Sequence, residues 1–273
     1  MTETERSEKY IHGYDEWTRR WMQTRTAEAE LGFLLPHLRP GMRLLDCGCG
    51  PGSITVGLAE AVAPGDVVGL DIEPRQLETA RVYAAERGAA NLTFELGSVY
   101  ELPFDDATFD AAVAHFVIEH VSDPLRALRE LRRVLKPGGV LAVKDPYYPA
   151  FTWRPNLPEI QRAWELIARV REHNGSSETY SVDLRTLLLE AGFARTEAEA
   201  VARTVVSHFT GPQQPYAIML NQLREPSLRS TVIEQGWADA TELDGLDEAL
   251  GRLGDRPDLF GFVVWVQALA WVE

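Results

Sequence analysis

The chain has 273 residues, 45% hydrophobic and 25% charged, with a formal net charge of −14 and a pI near 4.9. Such an acidic surface repels phosphate, which argues against nucleic-acid and anionic-membrane partners. No run of eighteen apolar residues marks a membrane span, and the polar start MTETERSEKY lacks a secretion signal's apolar core, so a cytoplasmic protein is expected.

In chain order, residues 1–38 read as two helical pieces rich in Tyr, Trp and Arg, an N-terminal lid. Residues 42–145 then alternate strand and helix. The short apolar runs MRLLDC, DVVGLDI, LTFELG, FDAAVAHF and VLAVKDP are separated by ITVGLAEAVA, PRQLETARVYAAERG and DPLRALRELRRVL. The last helix has Ser122 or Asp123 as N-cap and Pro124 in its first turn. Alternation of this kind predicts a parallel sheet covered by helices on both faces. Residues 146–175 open with the proline and aromatic loop PYYPAFTWRPNLP and continue as a helix. SVDLRTLLLEAGF is expected to take Ser181 as N-cap and Gly192 as its stop. A strand is expected over 195–206, interrupted helix over 212–258, and a final strand in FVVWVQALAWV. One domain spanning 1–273 is expected, with cap insertions at 146–180 and 212–258.

The densest signal is LLDCGCGPGSIT, residues 44–55. Cys47 and Cys49 lie two apart on an extended chain, so a bridge between them would be strained. No second cysteine pair or nearby histidine pair completes a zinc site, so no metal is expected. The glycines carry more. Gly48, Gly50 and Gly52 follow a strand ending at Asp46 and precede a helix near Ser53, a pattern that lets a ligand approach the backbone. The stretch departs from a dinucleotide fingerprint, having Ser53 at the sixth position and Pro51 inside the turn, and it lacks a Gly-Lys-Ser phosphate loop. Asp71 ends the next strand about twenty residues past the last glycine. A carboxylate there suits both hydroxyls of a ribose.

DCGCGPG, Asp71, GSVYELPF, FDAAVAHFVIEHV and LRRVLKPGGVL together resemble the class I S-adenosylmethionine-dependent methyltransferases. Within them the chain is similar to the small-molecule group typified by the ubiquinone and menaquinone biosynthesis methyltransferases. The resemblance covers roughly residues 40–145. It implies a Rossmann-like seven-stranded α/β sheet, order 3-2-1-4-5-7-6 with the last strand antiparallel, and a helical cap. It also implies S-adenosyl-L-methionine as cofactor, with Asp46 beside its methionine portion, Gly48, Gly50 and Gly52 under it, and Asp71 on its ribose. Ile72, Ser98 and Val99 would meet the adenine, Ser98 standing where the family usually has an acidic residue. His115 and Phe116 would face the sulfonium, and Tyr14 would lie over the cofactor.

In the stretch HFVIEH, Glu119 and His120 read as packing residues, whereas His115 ends a strand that faces the ligand crevice of an open α/β sheet. His115 and His208 are the candidate general bases, should the acceptor need one. Tyr10, Asp145, Tyr147, Tyr148, Trp153 and Arg154 are the candidate acceptor contacts. The expected function is methyl transfer to a small-molecule O, N or C acceptor, in bacterial secondary or cofactor metabolism, by a monomer or homodimer. Two alternatives stand beside it: a cyclisation or elimination that uses the sulfonium's charge, and a non-catalytic binding module.

Overall fold

The computed structural model describes residues 16–177, 179–206 and 215–273. The five apolar runs between residues 44 and 146 form parallel strands. These are β1 (Leu44–Cys47), β2 (Val67–Asp71), β3 (Leu92–Leu96), β4 (Phe109–His115) and β5 (Leu135–Pro146). β1 lies between β2 and β4, with Leu44 opposite Val67 on one side and Ala111 on the other. All four β1 residues are buried, as a strand covered on both faces requires. Alternate side chains serve opposite faces. Leu45, Val68 and Ala112 join one apolar cluster, whereas Leu44, Val67 and Ala111 join the other.

The helices connecting these strands are α3 (Ser53–Val62), α4 (Pro74–Glu86) and α5 (Pro124–Val134). α5 begins as its sequence predicts: Asp123 accepts the Arg126 N–H at 3.0 Å, with Pro124 in the first turn. Its buried face, Ala127, Leu128, Leu131 and Val134, follows the helical repeat. Each buried leucine contributes about 1.5–3 kcal/mol of transfer free energy. Two short N-terminal helices precede the sheet, α1 (Glu16–Gln23) and α2 (Ala27–Leu31), the latter capped by Thr26.

The C-terminal part adds β6 (Thr152–Arg154), α6 (Pro158–His173), α7 (Leu184–Glu190) and β7 (Arg195–Val206). It closes with α8 (Pro215–Arg224), α9 (Pro226–Glu234), α10 (Ala240–Gly251) and β8 (Phe260–Trp271). β8 runs antiparallel to β5 and to β7, giving the order β3-β2-β1-β4-β5-β8-β7. The sheet has eight strands where seven are expected, because β8 is longer than its neighbour. β5 pairs with β8 from Val140 to Pro146, and the chain then returns at β6 to pair with Phe260–Phe262. Ser181 is not the cap of α7 either. It sits inside a 3-10 turn, Tyr180–Asp183, with its side chain buried, and Asp183 occupies the cap position. Gly192 does follow α7, at φ +95°. α6, α8, α9 and α10 share a separate apolar cluster with Trp153 and Val263.

Candidate functional site

After β1 the chain turns through Gly48, Gly50 and Gly52 at φ +75°, +51° and +81°. Left-handed backbone favours glycine at all three, and at Gly48 space requires it as well. A Cβ on Gly48 would stand 2.3 Å from Cγ2 of Val117. The Gly48 and Cys49 N–H groups donate to the Leu70 carbonyl, pinning the turn to the end of β2. Gly50 N–H donates to Oδ2 of Asp71 at 2.8 Å, and Glu73 N–H donates to Oδ1 at 2.9 Å. Burial pushes the Asp71 carboxyl up from its usual value, against those backbone hydrogen bonds.

A cavity of about 170 Å³ opens above this turn, between the C-terminal ends of β1, β2, β3 and β4. Asp46, Gly48, Gly50, Asp71, Ile72, Ser98, Val99, His115 and Phe116 all line it. The strand order spreads them along the sheet edge: Ser98 and Asp71 toward one side of the turn, His115 and Phe116 toward the other. Gly52 does not line the cavity. It caps α3, where a Cβ would come within 3.0 Å of the Ala80 Cβ on α4, so it serves helix packing. The Ser98 hydroxyl accepts the Tyr100 N–H at 3.3 Å.

Asp46 is buried beneath the turn, where its Oδ2 accepts the Thr55 hydroxyl at 2.7 Å. Desolvation, only partly offset by Thr55 and reinforced by the negative Asp71, raises its carboxyl to about 6. Cys47 and Cys49 are free and buried, and burial pushes both thiols up, so they stay protonated and unreactive. Among the described residues no group of His, Cys, Asp and Glu is arranged to hold a metal.

The β4 side of the cavity is built from longer-range contacts. His115 is buried, its Nε2 3.5 Å from Oε2 of Glu30, and the same oxygen accepts from Lys144 Nζ at 2.8 Å. Burial raises the Glu30 carboxyl, but His115 and Lys144 outweigh that and hold it well below the usual range. Arg25 lies over the rings of Trp21 and Phe116, at 3.8 and 4.6 Å. Phe116 adopts φ +57°, a strained backbone for a bulky residue. Met22 also lines the cavity, and its carbonyl accepts the Ser53 hydroxyl at 2.9 Å, which ties α1 to the start of α3.

The expected acceptor contacts are placed differently. Asp145 is fully buried, and its Oδ1 accepts the Glu119 N–H at 3.4 Å. The Tyr148 hydroxyl donates to Oε2 of Glu119 at 2.7 Å and accepts from Arg171 at 2.5 Å. Tyr147 packs against the cluster on the α5 face, and Trp153 is buried in the α6–α10 cluster. Arg154 turns back onto the Trp153 carbonyl at 2.8 Å. None of these lines the cavity described above. Tyr10, Tyr14 and His208 lie outside the described residues. The segment 215–251 reaches α1 through Asn221, which donates to Thr18 Oγ1 at 2.9 Å.

Sequence reading missed Met22, Arg25, Glu30, Lys144 and Arg171. One signal was available for Lys144. The chain has three lysines, and this one interrupts the run VLAVKDP, where a charge must find a buried partner.

A methyltransferase-domain family model matches residues 38–192. The chain is 34% identical over 209 residues to "Probable methyltransferase ltbC" of Aspergillus luteorubrus, covering 73% of this chain and 72% of that one. It is 34% identical over 199 residues to the demethylmenaquinone methyltransferase of Symbiobacterium thermophilum, covering 65% and 78%. Among solved structures, the YcgJ protein of Bacillus subtilis superposes with a TM-score of 0.62 at 21% identity, over 90% of this chain and 99% of that one. With the glycine turn, Asp71 and the antiparallel β8 in place, the chain belongs to the methyltransferase-domain family and is a class I, S-adenosylmethionine-dependent methyltransferase.

Proposed function

We propose that this protein methylates a small-molecule acceptor at the cavity above the glycine turn, with S-adenosylmethionine lying along the edge from Ser98 to His115. The Asp71 carboxylate carries the reading. Two carboxylate oxygens offer about four acceptor positions, and the Gly50, Glu73 and Ile72 N–H groups bear on them from the protein side. The acceptor capacity left toward the cavity suits a ribose hydroxyl. Gly48 and Gly50 leave backbone facing the cavity with no Cβ in the way.

The bound cofactor supplies an activated methyl group on a cationic sulfur. The protein's part is alignment and electrostatics. Asp71 and Ile72 hold the nucleoside end, and the buried Asp46 supplies negative charge beneath the methionine end. Met22 and Arg25 exclude water from above, and Phe116 limits access from the acceptor side. The acidic surface, at −14, suits a small acceptor better than a nucleic acid. Nothing in the described residues favours cyclisation, elimination or a binding-only role over methyl transfer.

Calorimetry with S-adenosylhomocysteine tests the site directly. Saturable one-to-one binding that is lost in Gly50→Val, with the chain still folding cooperatively at a lowered melting temperature, is the expected result. Absence of binding by the unaltered chain would overturn it.

A further inference from the structure

The cavity wall contributed by β4 and the turn after it holds two imidazoles, His115 and His120. Each stands next to a buried carboxylate, and each carboxylate is paired with a buried cation. His115 Nε2 is 3.5 Å from Glu30, which takes Lys144 at 2.8 Å. His120 Nε2 is 3.6 Å from Glu119, which takes Arg171 at 2.8 Å. The partners come from four separate places: α2, β5, the turn after β4, and α6. Burying six ionisable groups at one wall carries a desolvation cost that apolar residues would avoid. Packing alone gives no reason for the arrangement to occur twice beside one cavity.

Building on the methyltransferase reading, we propose that His115 and His120 are proton acceptors for the methyl acceptor, and that this acceptor carries an acidic hydroxyl, a phenol or an enol.

The wall's electrostatics select the acceptor class. His115 faces Glu30, Arg25 and Lys144, and His120 faces Glu119, Arg171 and Arg25. Arg203 also approaches Glu30, at 3.8 Å. Four cations, Arg25, Lys144, Arg171 and Arg203, thus stand around two carboxylates, Glu30 and Glu119, while a third carboxyl, Asp145 beside Glu119, is pushed well up by burial and by Glu119, which favours its neutral form. A protonated amine meets repulsion there, whereas an oxygen gaining negative charge is stabilised. Burial, with help from the nearby cations, lowers both imidazoles to about 4. Both are therefore neutral near pH 7, the form that can accept a proton.

As the acceptor oxygen bonds to the methyl carbon, the carbon–sulfur bond breaks and its electron pair stays on sulfur. The hydroxyl proton passes to an imidazole nitrogen and from there to water. Glu30 and Glu119 are positioning residues: they orient the rings and stabilise the imidazolium while it lasts.

The test uses the chain saturated with S-adenosylhomocysteine and 4-nitrophenol, whose phenolate absorbs at longer wavelength than the phenol. At pH 6 the bound probe should show the phenolate band, and nitrogen NMR of the histidines should show one ring becoming imidazolium, because the phenolate beside it raises that ring above its value of about 4 in the empty site. 4-Nitroaniline, which has no acidic hydroxyl, should leave the histidine signals unchanged. Replacing the ring that becomes imidazolium, as His115→Asn or as His120→Asn, should reduce the phenolate band at least tenfold, measured at an S-adenosylhomocysteine concentration that saturates the variant. Glu119→Gln should shift the pH at which half the bound probe is ionised. Should the histidine variants unfold, the NMR signal of the unaltered chain decides alone. A complex that binds S-adenosylhomocysteine but leaves the probe neutral or unbound, or that takes 4-nitroaniline equally well, overturns the proposal. Failure to bind S-adenosylhomocysteine at all overturns the methyltransferase reading instead.

Discussion

The Asp71 carboxylate accepts the N–H of Gly50 at 2.8 Å, so the residue that ends β2 also holds the turn that follows β1. Its second oxygen accepts Glu73 N–H at 2.9 Å, which fixes the start of α4. One side chain therefore shapes two walls of the cavity. Asp71→Ala should weaken S-adenosylhomocysteine binding by about 1.5–3 kcal/mol, as expected for lost hydrogen bonds to a charged group. That is roughly ten- to hundredfold in Kd. Asp71→Asn keeps one acceptor oxygen and should fall between. Calorimetry giving an unchanged Kd for Asp71→Ala would remove Asp71 from the site.

Gly48 and Gly50 should fail in different ways. Gly48→Ala brings a Cβ to 2.3 Å from Val117 at φ +75°, so the turn and the Val117 loop must move apart. Clash and backbone strain together should cost about 2–4 kcal/mol of stability. A Cβ on Gly50 has only Met22 Sδ within 4 Å, at 3.7 Å, so Gly50→Val carries the backbone strain of φ +51° without a clash; it should melt lower, still fold, and lose the ligand. Melting curves and calorimetry on the same two preparations separate the outcomes. A Gly48→Ala chain as stable as the parent contradicts the packing account.

Asp46 predicts a pH-dependent stability change. Its carboxyl sits at about 6 in the fold against 3.8 in a free chain, so the folded state holds the proton more tightly. Stability is then lost as pH rises from 3.8 to about 6, and it stays reduced above. Asp46→Asn still accepts from Thr55 but carries no charge. It should gain up to about 3 kcal/mol at pH 8 and nothing below pH 3.8. Urea unfolding at pH 4 and pH 8 measures the difference. An equal effect at both values would show that burial of this charge is not its cause. The same substitution should weaken S-adenosylhomocysteine binding, since Asp46 lines the cavity.

Arg171 is among the largest fully buried side chains, and its guanidinium lies 2.8 Å from Glu119 and 4.0 Å from the Tyr148 ring centre. Arg171→Met leaves the Glu119 carboxylate buried without its cation, which should cost about 3–5 kcal/mol. In a chain of this size that lowers Tm by roughly 6–20 °C. Combining it with Glu119→Leu removes the stranded charge and should recover a large part of the loss. Calorimetric melting of the single and double variants gives the comparison, and equal Tm values would show that the pair is not coupled.

The β1 turn was legible because its signals are local. Glycine spacing, a preceding apolar strand and a following helix all lie within twelve residues, and the left-handed backbone at Gly48, Gly50 and Gly52 follows directly. Asp71 was legible because it ends the next apolar run. β7, at Arg195–Val206, coincides with the strand read from the sequence. Asp145, Tyr148 and Trp153 were assigned to the acceptor pocket from their place after β5, yet they turn into buried contacts with Glu119, Arg171 and the α6–α10 cluster. Position along a strand indicates which end of the sheet a residue occupies, but not which way the chain bends after leaving it.

Local chain chemistry alone determined the order of strands and helices, the start of α5 at Ser122 or Asp123, the glycine turn and the carboxylate of Asp71 at the end of β2. Backbone sterics and side-chain periodicity act over a few neighbours, so these features are written within short stretches. Only the tertiary structure decided that Glu30 meets Lys144, 114 residues away, and that Glu119 meets Arg171, 52 residues away. A buried charge requires an opposite charge within a few ångströms, and any arginine or lysine in the chain satisfies that need on paper. Sheet order and helix packing select the partner, and through it they set the two imidazoles at the cavity wall.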